Sequence, residues 1–220
     1  MSAPIPIARR LTSPNTQERT RVVEILETAL LDDKAILCLT GASKTSEREL
    51  YKICLNICLR DGEVWVAGFN DQINAVTFWI RPGADFHIGL SDDYIRDLPD
   101  DMKEWMAHHF VPKYNELYKG SYPTGQQVRV QAWHILLIGV QPTFQRRGLG
   151  KRLLDVLREK ADSKSQCITA DVQTSFAVHF FNNSGFAYTG VKNFISRQAG
   201  FPLWSMLRLP FQAQAVPGIG

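Results

Sequence analysis

The chain has 220 residues, 45% of them hydrophobic, and its acids and bases are spread along the whole length with a net charge of +3. That balance provides apolar material for a packed core but no basic stripe of the kind nucleic-acid binding needs, and no apolar run approaches the length of a membrane span. One domain over residues 1–220, a small-molecule partner, no nucleic acid, no membrane and a cytoplasmic setting are the expectation, since the first ten residues also lack the apolar segment of a signal peptide.

Ile5, Ile7 and Leu11 predict a short first strand, and Ser13-Pro14-Asn15 turns the chain into a helix. Asn15 and Glu18 have capping-box spacing, and Val22, Val23, Leu26 and Leu30 form the stripe that follows. Residues 36–39 suit either a short strand or the end of a helix. A helix over 50–59 carries Cys54 and Cys58 one turn apart on a stripe with Leu50, Ile53 and Ile57. A metal clip would need a second Cys or His pair nearby, so both thiols read as core and no metal is expected. Strands over 64–69 and 73–80, joined at Asn70-Asp71, make a hairpin, which gives the sheet an antiparallel first half.

Residues 84–127 are long for a connection and carry helix signals of their own: Met102, Trp105, Met106, His109 and Phe110 recur at helical spacing. This helical insertion reads as a substrate-side wall or lid, or as a helix that covers the sheet. His87, His108, His109 and His179 read as surface or packing residues.

The rest is organised around residues 133–161. Ile135 to Val140 is a continuous apolar run suited to a buried central strand, stopped by Pro142. From Leu149, apolar residues at 149, 153, 156 and 157 form one helical stripe. Between strand and helix lies Gln145-Arg146-Arg147-Gly148-Leu149-Gly150, followed by Lys151. Glycines at the entry of a helix leave main-chain N–H groups open to the oxygens of a pyrophosphate. The nucleotide P-loop does not fit, because Arg152 stands where Ser or Thr should follow Lys151, and the dinucleotide fingerprint fails at Leu153. Residues 167–172 predict a second buried strand, parallel to the first through the helix between them. Gly139 predicts a bulge or splay that would open a V between the pair. Thr174 or Ser175 then caps a short helix ended by Ser184-Gly185, and a last hairpin runs from Phe186 to Leu209.

These segments resemble the GNAT N-acetyltransferases over nearly the whole length, and among them the antibiotic-acetylating branch typified by puromycin N-acetyltransferase. The resemblance is carried by Val76-Thr77-Phe78-Trp79 with Pro82, by residues 133–140 with Pro142, by the 145–150 loop, by Phe180-Phe181-Asn182-Asn183-Ser184-Gly185-Phe186 and by Trp204-Ser205-Met206. It implies an α/β (α+β) GNAT fold, with a mixed, mostly antiparallel sheet splayed between its central parallel strands and flanked by helices. It also implies direct transfer of acetyl from acetyl-CoA to a primary amine of a small molecule. The main chain of Ile138, Gly139 and Val140 would meet the pantetheine arm, and Gln145, Arg146, Arg147, Gly148, Leu149, Gly150 and Lys151 the pyrophosphate. Arg146 or Arg147 would reach the 3′-phosphate or simply face solvent.

Many members of the family place a Tyr, as acid for the departing thiolate, where this chain has Phe181, so Tyr188, Ser184 or a water is left for that role. His134 and Asp171 are the candidates to take the amine proton, with a strand-edge role for His134 and a helix cap for Asp171 as the alternatives. A degenerate member acting as an acyl-CoA-binding sensor is the competing reading, and a homodimer is compatible with either.

Overall fold

A computed structural model describes residues 5–84 and 92–211. Its sheet has seven strands in the order β1-β2-β3-β4-β5-β7-β6. These are β1 (Ile7–Leu11), β2 (Gly62–Gly68), β3 (Ala75–Ile80), β4 (Trp133–Val140), β5 (Ile168–Val172), β6 (Ala187–Ile195) and β7 (Gly200–Arg208). All neighbours are antiparallel except β4 and β5. The α/β GNAT arrangement expected from the sequence is the one observed.

Helices α1 (Thr16–Ala29), α2 (Lys34–Thr40), α3 (Lys44–Asp61), α4 (Asp92–Arg96), α5 (Asp100–Trp105), α6 (Val111–Ser121) and α7 (Gln127–Gln131) precede β4, while α8 (Leu149–Asp162) and α9 (Ser175–Asn182) follow it. The start of α1 is fixed as its spacing predicts: the Asn15 side chain accepts from the Glu18 N–H, and the Glu18 carboxylate accepts from the Asn15 N–H. Residues 36–39, open between strand and helix in the sequence, belong to α2, started by the Asp33 carboxylate and stopped by left-handed Gly41. Asn70 and Asp71 supply the positive φ values of the first hairpin turn. Cys54 and Cys58 are buried in the core beside Leu50 and Leu55.

The predicted wall is mainly a packed layer. Tyr94, Leu98, Met102, Met106, Phe110, Tyr114 and Tyr118 join the same apolar cluster as α1 and α3, so these helices cover the sheet rather than stand away from it. A π-helical turn, Met106–Phe110, links α5 to α6. It brings Trp105 and His109 to the end of edge strand β6, where Trp105 Nε1 donates to the Ile195 carbonyl at 2.7 Å and the Ile195 N–H donates to His109 Nε2 at 3.4 Å. His87 lies outside the described residues.

On the α8 side, Glu63 is 4% exposed and accepts both from Lys160, at 2.6 and 2.7 Å, and from Trp65 Nε1. Lys160 also lies over the rings of Trp65 and Trp133. Burial alone would raise the Glu63 pKa, but the bonds from Lys160 and Trp65 outweigh it and hold the carboxyl below its ordinary value. A carboxyl held low contributes stability above its unfolded pKa and loses it as pH falls through the folded one. Lys160→Met is therefore expected to cost about 1 to 2 kcal/mol at pH 7, because it removes the two shortest bonds to a buried carboxylate and leaves it Trp65 and the more distant Arg10 and Arg81. Denaturant unfolding at a series of pH values should show that gap shrinking as pH falls through the lowered folded pKa of Glu63.

Candidate active site

The site follows from how β4 leaves its neighbours. Against β3, the register steps between Phe78, opposite Leu137, and Trp79, opposite Ile135, so Leu136 is the extra residue of a β-bulge. The bulge is thus at Leu136 and not at Gly139, where the sequence placed it. Its signature is two successive side chains, Leu136 and Leu137, packed toward the same cluster, before Ile138 returns to the opposite face. Gly139 has a different reason to be small. A Cβ there would lie 3.1 Å from Ala29 Cβ and 3.2 Å from Leu26 Cδ2, so glycine lets α1 press against the strand.

Parallel pairing of β4 with β5 covers only Trp133 with Ile168, His134 with Thr169 and Ile135 with Ala170. Past the bulge the strands part, while Asp171 and Val172 keep their pairing with Ser205 and Trp204 of β7. The result is the V that the sequence anticipated. On the far side of β4, the Gln141 N–H donates to the Asn74 carbonyl and the Thr77 hydroxyl to the Leu137 carbonyl. Strand alternation then turns the Ile138 and Val140 main chain into the V, and the Val140 carbonyl on that side accepts from Gln145 Nε2.

Beyond β4, Arg146 and Gly148 take positive φ, +61° and +84°, and Gly148 caps α8 without any side-chain bond. Among the described residues, the N–H groups from Arg146 to Lys151 meet no protein acceptor, the first return bond being from Arg152 to the Gly148 carbonyl. A Cβ on Gly148 would meet nothing within 4 Å, whereas one on Gly150 would sit 3.3 Å from Phe180 and 3.6 Å from Val140. The loop is thus an open cradle of donors at a helix N-terminus. Arg146 lies over Phe176 and Arg147 over Phe144, while Lys151 pairs with Asp155 at 2.7 Å, one helical turn along. Leu149 is buried and anchors the turn between α8 and the sheet.

Asp171 is the first residue of β5 beyond the last parallel pair, so its side chain stands at the fork, 11% exposed. Two residues of α6 grip it: the Tyr114 hydroxyl donates at 2.5 Å, and the Tyr118 hydroxyl lies 2.9 and 3.1 Å from its two oxygens. Burial raises the Asp171 pKa to about 6 in spite of these donors. Asp171 caps no helix; the Thr174 side chain does that for α9 by accepting from the Ala177 N–H.

His134 comes from β4 to meet it, with Nε2 4.0 Å from Asp171 Oδ2 and Nδ1 3.0 Å from Thr169 Oγ1. Burial, assisted by the charge of Arg129, lowers the His134 pKa to about 3, so the ring is neutral at physiological pH. Nδ1 shares a hydrogen bond with the Thr169 hydroxyl, which also reaches the Trp133 carbonyl at 3.4 Å.

The third predicted group is elsewhere. Tyr188 is 51% exposed on β6, with the whole of β7 between it and β5, so the structure does not bring it to the Asp171 cluster. Ser184 is also engaged, its hydroxyl donating to the Phe180 carbonyl at 3.0 Å. Phe181, at the position where many family members have the Tyr, is 2% exposed and packs edge-on against Phe180 and Phe186 in the core, while Phe180 is the ring beside the loop. The sequence reading did not connect Tyr114 and Tyr118 to Asp171, although Tyr114, Tyr118 and Tyr122 recur every four residues on one face of α6 and that stripe was the available signal.

Residues 96–206, just over half of the chain, match the family described as an acetyltransferase (GNAT) domain. The chain belongs to the GNAT acetyltransferases. It is thereby an acyltransferase with acetyl-CoA as co-substrate, and the donor cradle and V are compatible with that molecule. No curated protein matches this GNAT chain at the level of sequence. Solved structures match its fold. Arylalkylamine N-acetyltransferase 2 from Aedes aegypti has a TM-score of 0.65 at 17% identity, over 92% of this chain and 98% of that one. A histone acetyltransferase HPA2 and related acetyltransferase from Corynebacterium glutamicum gives 0.60 at 17%, over 95% and 98%. A putative acetyltransferase from Salmonella typhimurium, solved with its cofactor acetyl-CoA, gives 0.57 at 14%, over 98% and 99%.

The raised pKa of Asp171 has a thermodynamic consequence. A carboxyl whose folded pKa lies above its unfolded value stabilises the fold below the unfolded pKa and loses that contribution as pH rises through the folded one. The window here runs from 3.8 to about 6. Asp171→Asn should therefore gain stability relative to the wild type between pH 4 and pH 7, by up to about 3 kcal/mol. Parallel denaturant melts at both pH values check this, and a gap independent of pH would show that Asp171 does not titrate in this way.

Proposed function

We propose that the protein transfers acetyl directly from acetyl-CoA to a primary amine of a small molecule, with Asp171 as the group that receives the amine proton. The observation that carries this reading is a nearly buried carboxylate at the fork of the V, held by two tyrosine hydroxyls and poised near neutrality. An alkylamine has a reference pKa of about 10.4, so freeing its lone pair at pH 7 costs roughly 4 to 5 kcal/mol unless a neighbouring group assists. An anion at the fork attracts the ammonium and accepts one proton from it. His134, its pKa lowered to about 3 by burial, is too weak a base to compete for the proton.

The main-chain N–H groups from Arg146 to Lys151 receive the pyrophosphate, and the Ile138 and Val140 main chain lines the pantetheine arm. The inward N–H of Val140 is the donor suited to the carbonyl oxygen as charge builds there. The amine nitrogen bonds to the thioester carbon and the C–S bond breaks. The second proton of the nitrogen, released as the amide forms, goes to the departing thiolate, so the balance closes without a tyrosine at Phe180 or Phe181. The sequence resemblance to the antibiotic-acetylating branch makes puromycin one member of a sensible acceptor panel, and the structural likeness to an arylalkylamine acetyltransferase makes arylalkylamines another.

Thiol release from acetyl-CoA with such a panel tests the reading, and Asp171→Asn should lower kcat/KM for the accepted amine by roughly 10² to 10⁴-fold while leaving acetyl-CoA affinity unchanged. Acetyl-CoA binding without turnover on any amine, peptide amines included, would favour an acyl-CoA sensor.

The cradle is tested separately. Gly148→Asp puts a carboxylate into the open space where the phosphates are expected, and Asp tolerates a left-handed backbone. Calorimetry should show acetyl-CoA binding lost with the melting temperature little changed, and wild-type affinity would remove the loop from the proposed site.

A further inference from the structure

Arg129, on α7 immediately before β4, is buried with 4% exposure. Its guanidinium carbon lies 4.9 Å from the ring centre of Tyr118 and 5.2 Å from that of Tyr114. Those are the two rings whose hydroxyls grip Asp171. A buried guanidinium stacked on two tyrosines gains cation–π attraction and ties those two rings together. The charge thus lies over the faces of the two rings whose hydroxyls hold one carboxylate.

We propose that Arg129 is a positioning residue for acetyl transfer: through Tyr114 and Tyr118 it holds Asp171 in the charged form that accepts the amine proton. This rests on the reading of Asp171 as the base.

The groups that face Asp171 are Tyr114, Tyr118 and Tyr122 from α6, His134 from β4, Ser205 from β7 and Arg129. The tyrosines are pushed well above their ordinary range by burial first and then by the carboxylate, so they stay neutral donors. His134 is neutral as well, and Arg129 is one reason, since its charge disfavours an imidazolium. The same cation therefore acts in the same sense on the two titratable neighbours at the fork, with opposite consequences for their charge. It lowers the proton affinity of the carboxylate and of the imidazole alike, which keeps one charged and the other uncharged. A proton entering the fork then has one acceptor, Asp171.

Carbon-13 NMR titration of the Asp171 carboxyl, its resonance identified by its absence in Asp171→Asn, tests this without needing an acceptor. Arg129→Met should raise the midpoint by about one unit or more, the size expected on removing a close opposite charge, and Arg129→Lys should restore it. The acidic limb of the kcat/KM profile should move with the midpoint. A midpoint unchanged in a folded Arg129→Met protein overturns the proposal. If Arg129→Met fails to give a cooperative melt, Arg129→Gln, which keeps a planar polar group against the rings, is read by the same criterion. Failure of the underlying reading looks different: Asp171→Asn would retain both turnover and the acidic limb, whatever Arg129 does to the carboxyl.

Discussion

The interaction on which the rest depends is one that stops early, the parallel ladder between β4 and β5. Pairing of three residues followed by divergence leaves main-chain groups of β4 facing a gap, and unpaired strand groups away from water are costly unless another molecule satisfies them. The parting has identifiable causes. The bulge at Leu136 re-aims β4, α1 presses on it through Gly139, and β5 is held in the sheet by its full pairing with β7. A ligand with amides along its length can complete such an edge without any rearrangement of the sheet.

The two faces of that gap are chemically distinct, and the sheet itself makes them so. On the α8 face are Ile135, Ile138, Ala170 and Val172 with the donor-rich loop, while the α6 face carries His134, Thr169, Asp171 and Ser205. Strand alternation alone separates them, because neighbouring residues of β5 point to opposite sides. A phosphorylated carrier approaching over α8 and an amine approaching over α6 would meet only at the fork, so neither binds in the other's place. Asp171 stands at that fork, 11% exposed, which is what suits it to the role proposed above.

How much of this was legible in the sequence depends on how local each signal is. Pro142, Gly148 and the apolar period from Leu149 define the loop and α8 within a few residues, and the Asn15 and Glu18 cap is similarly self-contained. The bulge was anticipated but displaced, because glycine in a strand can mark either a bulge or a close neighbour, and only packing shows that Gly139 answers to Leu26 and Ala29. That Phe180 and not Phe181 lies beside the loop is a matter of helix phase, since a step of one residue turns a side chain by roughly 100°. The tyrosine grip on Asp171 joins positions 57 and 53 apart in the chain. No local pattern states which carboxylate a tyrosine stripe will meet.

The cost of the grip bears on why the site takes this form. A carboxylate could be kept charged near neutrality more simply by a salt bridge with a lysine or arginine in direct contact, as Asp162 is by Arg208 at 2.7 Å. Direct pairing, however, lowers a carboxyl so far that it becomes a poor proton acceptor. Two hydroxyls avoid that outcome. They satisfy the oxygens without adding charge, they carry Arg129 on their ring faces, and they leave the carboxyl at about 6, the range that the proposed proton acceptor needs. The sequence spacing that achieves this, tyrosines one helical turn apart on a helix packed flat against the sheet, also explains why the segment before β4 is built into the core instead of hinged over it. A mobile lid could not hold hydroxyls to a buried carboxylate at 2.5 and 2.9 Å.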